Sequence, residues 1–137
     1  MKANYKILII DDNIIDQIVT KKLLKKTLGI TEISSANNGK EGIQWLRNHY
    51  HNPEESLIIL LDIKMPEMDG FEFLTAYEKF SEDFKNNTQI FMLSSTLDPE
   101  DISRAKNNKY VKTLLNKPLP IKEFGEIIYP DSSLQYN

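Results

Sequence analysis

Four polar clusters stand where apolar runs end. Asp11-Asp12 follow Leu8-Ile9-Ile10, and Asp62 ends the run Leu57-Ile58-Ile59-Leu60-Leu61. Ser94-Ser95-Thr96 end the run from Gln89, and Lys117-Pro118 follow the run from Val111 to Asn116. Three carboxylates brought together repel one another, so either one takes a proton or a cation sits among them. Oxygen ligands with no His or Cys nearby suit a hard ion, Mg²⁺ or Mn²⁺. The Ser94 hydroxyl can donate to an oxyanion, and Lys117 is a point charge suited to phosphate or carboxylate. Acids for a metal, a further acid, a hydroxyl and a lysine make a site for phosphoryl chemistry. Asp62, at the end of the most apolar run, is the natural nucleophile, because carboxylates can form an aspartyl-phosphate. A cation and the lysine would neutralise equatorial oxygens as the phosphoryl group moves in line.

These groups meet only if the runs that carry them lie side by side. The continuous apolar run Leu57–Asp62 suits a strand buried on both faces of a parallel sheet. Tyr5–Ile10, Glu32–Ala36, Gln89–Ser94 and Val111–Asn116 read as the other strands. Helical patterns alternate with them. Ile14, Ile15, Ile18, Val19, Leu23 and Leu28 recur at helical spacing, with Asn13 as N-cap, Lys21, Lys22, Lys25 and Lys26 crowding the final turns and Gly29 as terminator. Asn37-Asn38-Gly39 is a strand-to-helix turn rather than a hairpin, because Ile43, Leu46 and Tyr50 follow at helical spacing. A third helix follows Asp69-Gly70, with Phe73, Tyr77, Phe80 and Phe84 on one stripe. Asp98-Pro99-Glu100-Asp101 starts a short fourth helix, and Pro120–Tyr129 is a last one, weakened by Gly125 and stopped by Pro130.

Five β-α units in alternation predict an α/β doubly wound sheet with helices on both faces. The flavodoxin-like parallel order 2-1-3-4-5, with five strands and five helices, places the switch point between strands one and three. Those are the strands that end in Asp11-Asp12 and Asp62. Ligands bind at that carboxyl edge in open α/β sheets.

Composition narrows the classes. The chain has 137 residues, 40% hydrophobic and 27% charged, the size and balance of one soluble domain. It has no Cys, which excludes disulfides, thiolate metal sites and a Cys nucleophile and agrees with a reducing cytoplasm. With 17 basic and 20 acidic residues the net charge is −3, so no global field favours nucleic acid. The first residues lack the apolar length of a signal peptide, and no apolar run approaches the roughly 20 residues of a membrane span. His49 and His51 read as solvated loop residues, and Asn86-Asn87-Thr88 as a chance sequon.

The chain resembles the response-regulator receiver domain of two-component signalling, in its stand-alone, chemotaxis-receiver-like form. The matching residues are Asp11-Asp12, Leu61-Asp62-Ile63-Lys64-Met65-Pro66-Glu67-Met68-Asp69-Gly70, Ser94 and Lys117-Pro118. The resemblance implies that Asp62 accepts a phosphoryl group from a sensor histidine kinase or histidine phosphotransfer protein. It implies Mg²⁺ on Asp12, Asp62 and the backbone carbonyl of Lys64, with Asp11 acting mainly through water. Ser94 would swing to the phosphoryl oxygen and Lys117 would pair with it, while Lys64 and Thr96 occupy positions that tune the phosphoryl lifetime. The family's cis Lys-Pro bond is expected at Lys117-Pro118, and helix one is where kinase or phosphotransfer partners commonly dock. Residues 1–130 would form the receiver and 131–137 a short tail, with no output domain. Phosphorylation would either switch binding of a downstream protein or serve a relay that passes the phosphoryl group to another histidine; no direct nucleic acid or membrane contact, and a monomer or weak dimer, are expected. One departure is clear: the family's switch aromatic, three residues before the lysine, is Leu114 here.

Two other classes fit less well. A haloacid-dehalogenase-like phosphatase needs an acid two residues after its nucleophile, where this chain has Asn13, Ile14 or Lys64 after Asp11, Asp12 or Asp62. A flavin carrier of the same fold wants a hydroxyl- and glycine-rich phosphate loop after strand one, where two acids would repel phosphate.

Overall fold

The structure, a computed structural model, describes residues 4–49, 56–96 and 98–130. Tyr50, His51 and the tail 131–137 lie outside the described residues. Five parallel strands form the sheet: β1 (Tyr5–Ile10), β2 (Ile33–Ala36), β3 (Ser56–Asp62), β4 (Thr88–Ser94) and β5 (Val111–Asn116). Their order is β2-β1-β3-β4-β5, as the alternation predicts. Six helices connect and flank them: α1 (Ile14–Leu28), α2 (Gly39–Asn48), α3 (Gly70–Tyr77), α4 (Glu82–Asn86), α5 (Pro99–Lys106) and α6 (Ile121–Ile128).

The sheet separates two apolar layers because side chains alternate along each strand. Leu8, Ile10, Ile59, Leu61 and Met92 face a core shared with α2, α3, α4 and α5. Ile7, Ile9, Ile58, Leu60 and Phe91 face the other, shared with α1 and α6. β1 and β3 lie in the middle and are covered on both faces, which explains their unbroken apolar runs.

The expected single third helix is two helices, which corrects the count from five to six. Ser81 takes an extended conformation and caps α4 by accepting the Phe84 N–H, with Glu82 and Asp83 in the first turn. Between α3 and α4, Lys79 and Phe80 donate to Ala76 and Tyr77, three residues back. This tight turn preserves the aromatic stripe across the break. Phe80 lies 6.0 Å and Phe84 6.4 Å from Tyr77, ring centre to ring centre.

Helix α1 also departs from its pattern. Gln17, Thr20, Leu24 and Leu28 are buried, whereas Ile14, Ile15, Ile18 and Val19 are exposed. The first half of α1 runs past the polar carboxyl edge, so its inner face is polar. The Gln17 amide donates to the Asp11 carbonyl at 2.6 Å and to Asn37 Oδ1 at 3.0 Å. Among the described residues, no helix is long and apolar enough to cross a membrane.

Candidate functional site

The strand ends bring the sequence-predicted residues together. β1 and β3 are in register up to Ile10 and Leu61, so Asp11 and Asp62 leave the sheet side by side. The Asp11 N–H donates to the Ala36 carbonyl, and the Ile63 N–H to the Leu93 carbonyl, which prolongs the ladders one step past the strands. At the other end of the site, the Lys117 N–H donates to the Ser94 carbonyl at 3.0 Å. That bond sets Lys117 beside Ser94. The Lys117–Pro118 peptide is cis.

The loop from β3 to α3 is held from three sides. Asp69 and Glu72 form a reciprocal capping box at the start of α3. The Gly70 N–H donates to the Ile63 carbonyl at 2.8 Å, and a Cβ on Gly70 would lie 2.6 Å from the Asp62 carbonyl oxygen. Only glycine permits that approach. Glu67 sits at φ 65°, a left-handed conformation unusual outside glycine, and its carboxylate accepts from the Asn38 amide at 3.0 Å. The Gly39 N–H reaches the Met68 carbonyl at 3.2 Å. The loop carrying Lys64 is thereby tied to the cap of α2.

A cleft of about 190 Å³ opens at this edge, lined by Asp12, Asp62, Lys64, Ser94, Thr96 and Lys117 together with Asn13, Asp16 and Ser95. Oxygens of Asp11, Asp12 and Asp62 all lie within 4.8 Å of one another. Asp11 and Asp62 are buried and Asp12 is exposed. Asp11 does not line the open cleft. It accepts the Asn13 N–H at 2.9 Å on one oxygen and pairs with Lys117 at 2.9 Å through the other.

Lys117 is the hub of the arrangement. Its Nζ lies 2.9 Å from Asp11, 3.1 Å from Asp16 and 3.2 Å from Asp62. Burial works against its positive charge. The hydrogen bond to Asp11, the charges of Asp62 and Asp11 and the hydrogen bond to Asp16 together outweigh burial and raise its pKa above the ordinary lysine range. Asp62 is pushed the other way for an acid, from 3.8 up to about 6. Burial is the largest cause; Lys117 lowers the value, and the neighbouring charges of Asp11 and Asp12 raise it. The site therefore holds more negative charge than its lysine neutralises. An all-oxygen acid cluster with a strained carboxylate fits a hard divalent cation.

Ser94 is engaged within its own loop. Its hydroxyl donates to the Thr96 carbonyl and accepts the Thr96 N–H at 3.2 Å. Leu114, at the position where an aromatic was absent, is half-buried against the core beneath α5. Tyr110 stands at the opposite end of β5 and meets Tyr77 edge-on at 5.3 Å. It does not line the cleft.

Asp16 was not singled out from sequence, yet it is a direct partner of Lys117. The signal was present: Asp16 is four residues after Asp12, one turn along the same side of a helix start.

The chain matches the model of the response regulator receiver domain over residues 7–129. Its structure is similar to a response regulator receiver protein from Dyadobacter fermentans, with a TM-score of 0.84, 32% identity, and 92% of this chain and 96% of that one covered. A two component response regulator from Cytophaga hutchinsonii gives a TM-score of 0.83 at 28% identity, covering 98% and 99%. In sequence it is 31% identical to the sensor histidine kinase CheAY of Helicobacter pylori, over 88% of this chain and 16% of that protein. The chain spans about half the length, or less, of these first curated relatives. With strand order, acid cluster and lysine in place, the match across nearly the whole chain leads to one statement: this chain belongs to the response regulator receiver domain family of two-component signalling.

Proposed function

We propose that Asp62 accepts a phosphoryl group from a histidine of a sensor kinase or phosphotransfer protein. The observation that carries this reading is the placement of Asp62: a buried carboxylate at the floor of an open cleft, 3.2 Å from a lysine ammonium. In the transfer, an Asp62 oxygen forms a bond to phosphorus as the phosphorus–nitrogen bond to histidine breaks. The departing imidazole keeps that electron pair. Mg²⁺, or Mn²⁺, would be held by Asp12, Asp62 and the Lys64 carbonyl, with Asp11 acting through water, and when bound it neutralises charge on the phosphoryl oxygens. Lys117 offers a second positive charge to those oxygens. Ser94 leaves the Thr96 carbonyl and donates to the phosphoryl group, which moves the loop between β4 and α5. That movement alters the surface around β4, α5 and β5 and so changes affinity for a downstream protein. The receiver unit occupies residues 1–130 and works in the cytoplasm as a signalling switch rather than as an enzyme acting on an external substrate.

Intact mass after incubation with Mg²⁺ and acetyl phosphate tests the reading. Wild type gains one phosphoryl group; Asp62→Asn gains none, and chelator abolishes the gain. An adduct that survives in Asp62→Asn would overturn the assignment. Lys117→Ala should still take some phosphoryl group but lose the partner response, and Ser94→Ala should weaken the conformational step. Equal partner affinity with and without the phosphoryl group would defeat the switch.

A further inference from the structure

Three carboxylates claim one ammonium in this site. A lysine has three N–H donors, and Lys117 spends them on Asp11, Asp16 and Asp62 at 2.9, 3.1 and 3.2 Å. The contact with Asp16 joins residues 101 positions apart in sequence, so helix geometry alone does not account for it. If Asp62 carries a phosphoryl group, its carboxylate loses its charge and the donor spent on it is free to turn to the new phosphoryl oxygens. The contacts with Asp11 and Asp16 hold the ammonium back, and one of them must loosen for the lysine to move fully onto those oxygens.

The three contacts are unequal. The Asp11 side chain is only 4% exposed, and losing its cation would leave a buried carboxylate facing no positive charge. Asp62 is itself the acceptor. The Asp16 side chain is 40% exposed, so water can replace the lysine there at small cost. Asp16 is also carried on a helix rather than on a strand end, half-exposed at the rim of the cleft between exposed Ile15 and buried Gln17.

We propose that Asp16 is a positioning residue that holds Lys117 toward α1 in the resting protein and competes with the phosphoryl group on Asp62 for it. This rests on the reading of Asp62 as the phosphoacceptor. Asp16 thus sets how readily the lysine reaches the phosphoryl oxygens, and it does so from a half-exposed position on α1.

The test is an equilibrium titration with beryllium fluoride, a phosphoryl analogue, in Mg²⁺ buffer. Asp16→Asn should bind it about twofold to fivefold more tightly, the range a half-exposed ion pair supports. Asp16→Glu should return most of the way to wild type. In a Lys117→Ala background the Asp16→Asn effect should vanish, because the competition runs through the lysine. An equal gain in that background would mean a general charge effect and would overturn the proposal, as would no gain at all. A second measurement needs no analogue: the side-chain NMR resonances of Lys117 in the resting protein should shift in Asp16→Asn, and an unchanged Lys117 would sink the pairing. A wild type that takes neither beryllium fluoride nor a phosphoryl group would count against the phosphoacceptor reading of Asp62, and the Lys117 resonances would then decide the pairing independently.

Discussion

The middle of strand β3 and its last residue follow opposite rules. Ile58 and Ile59 are fully buried, one on each face of the sheet, in two close-packed layers. Every neighbour there supports the fold. One step past Leu61, Asp62 is also buried, but among like charges, with its pKa raised to about 6. The first region holds the site in place; the second is strained in its resting state and relieved by whatever adds positive charge or removes negative charge. The lesson is that stability and chemistry are separated here by a single residue step along one strand, and the two should respond oppositely to substitution.

The largest effect belongs to the supporting side. Ile59→Ala removes a fully buried side chain between β1, β4 and the α2–α3 layer. It should cost about 3–4 kcal/mol in denaturant unfolding, within the range for large-to-small core changes. A cost under about 1 kcal/mol would mean that this layer repacks freely and that the contrast with Asp62 is weaker than the burial suggests.

Gly70→Ala tests the boundary between the two regions. Its new methyl would meet the Asp62 carbonyl at 2.6 Å and the Met92 methyl at 2.9 Å. Met92 can move, but the backbone oxygen cannot do so without shifting the end of β3. A loss of about 1–3 kcal/mol is expected, as for other overpacked sites. The same change should slow phosphoryl uptake, because it displaces Asp62, the proposed acceptor. Full stability with normal uptake would show that the strand end tolerates movement.

Asp62→Asn should have the opposite sign. For an acid raised from 3.8 to about 6, the folded state binds more protons than the unfolded chain between those values. Stability therefore falls as pH rises through that window, and the loss persists above it. In metal-free protein at pH 7.5, Asp62→Asn should gain about 1–2 kcal/mol, part of the roughly 3 kcal/mol that two pH units represent. Near pH 3.5, where wild-type Asp62 is protonated, the gain should be gone. Millimolar Mg²⁺ should narrow the gap at neutral pH by stabilising wild type more than the variant. Thermal melts of both proteins at the two pH values, with and without Mg²⁺, check all three statements.

Much of this contrast is legible in the sequence because burial and charge leave different marks. An apolar run that stops at an acid marks a strand leaving the core, and this places Asp11, Asp12 and Asp62 without further information. Helix starts are equally legible: Asn13 caps α1 as expected, and the turns and helix starts read at Asn38, Asp69 and Asp98 each supply the side chain that accepts a first-turn N–H. The break between α3 and α4 escaped because the short turn keeps Phe73, Tyr77, Phe80 and Phe84 on one side. Ser81-Glu82-Asp83 carried the cap signal, but a strong stripe masked it. The helical spacing of Asp16 from Asp12 was visible, but its pairing with Lys117 depends on how far apart the ends of β1 and β5 lie, a distance no local pattern encodes. In α1, periodicity identified a face without saying which way that face looks. Gln17 and Thr20 win the inner side because the strand ends they cover are polar.

The smallest predicted effect lies on that outward face. Ile15 is 62% exposed, so Ile15→Ser removes little buried area and should change unfolding free energy by no more than about 0.5 kcal/mol. Ile59→Ala, the same residue type only a few strand steps from the site, should cost several times more. A large loss on Ile15→Ser would mean that the patch is covered in solution. A second copy of the chain is then the simplest cover, and the melting temperature would rise with protein concentration. With no such dependence and no loss of stability, the four exposed side chains Ile14, Ile15, Ile18 and Val19 contribute nothing to holding the fold. Their place beside the cleft then has to be explained by what the protein meets rather than by how it folds.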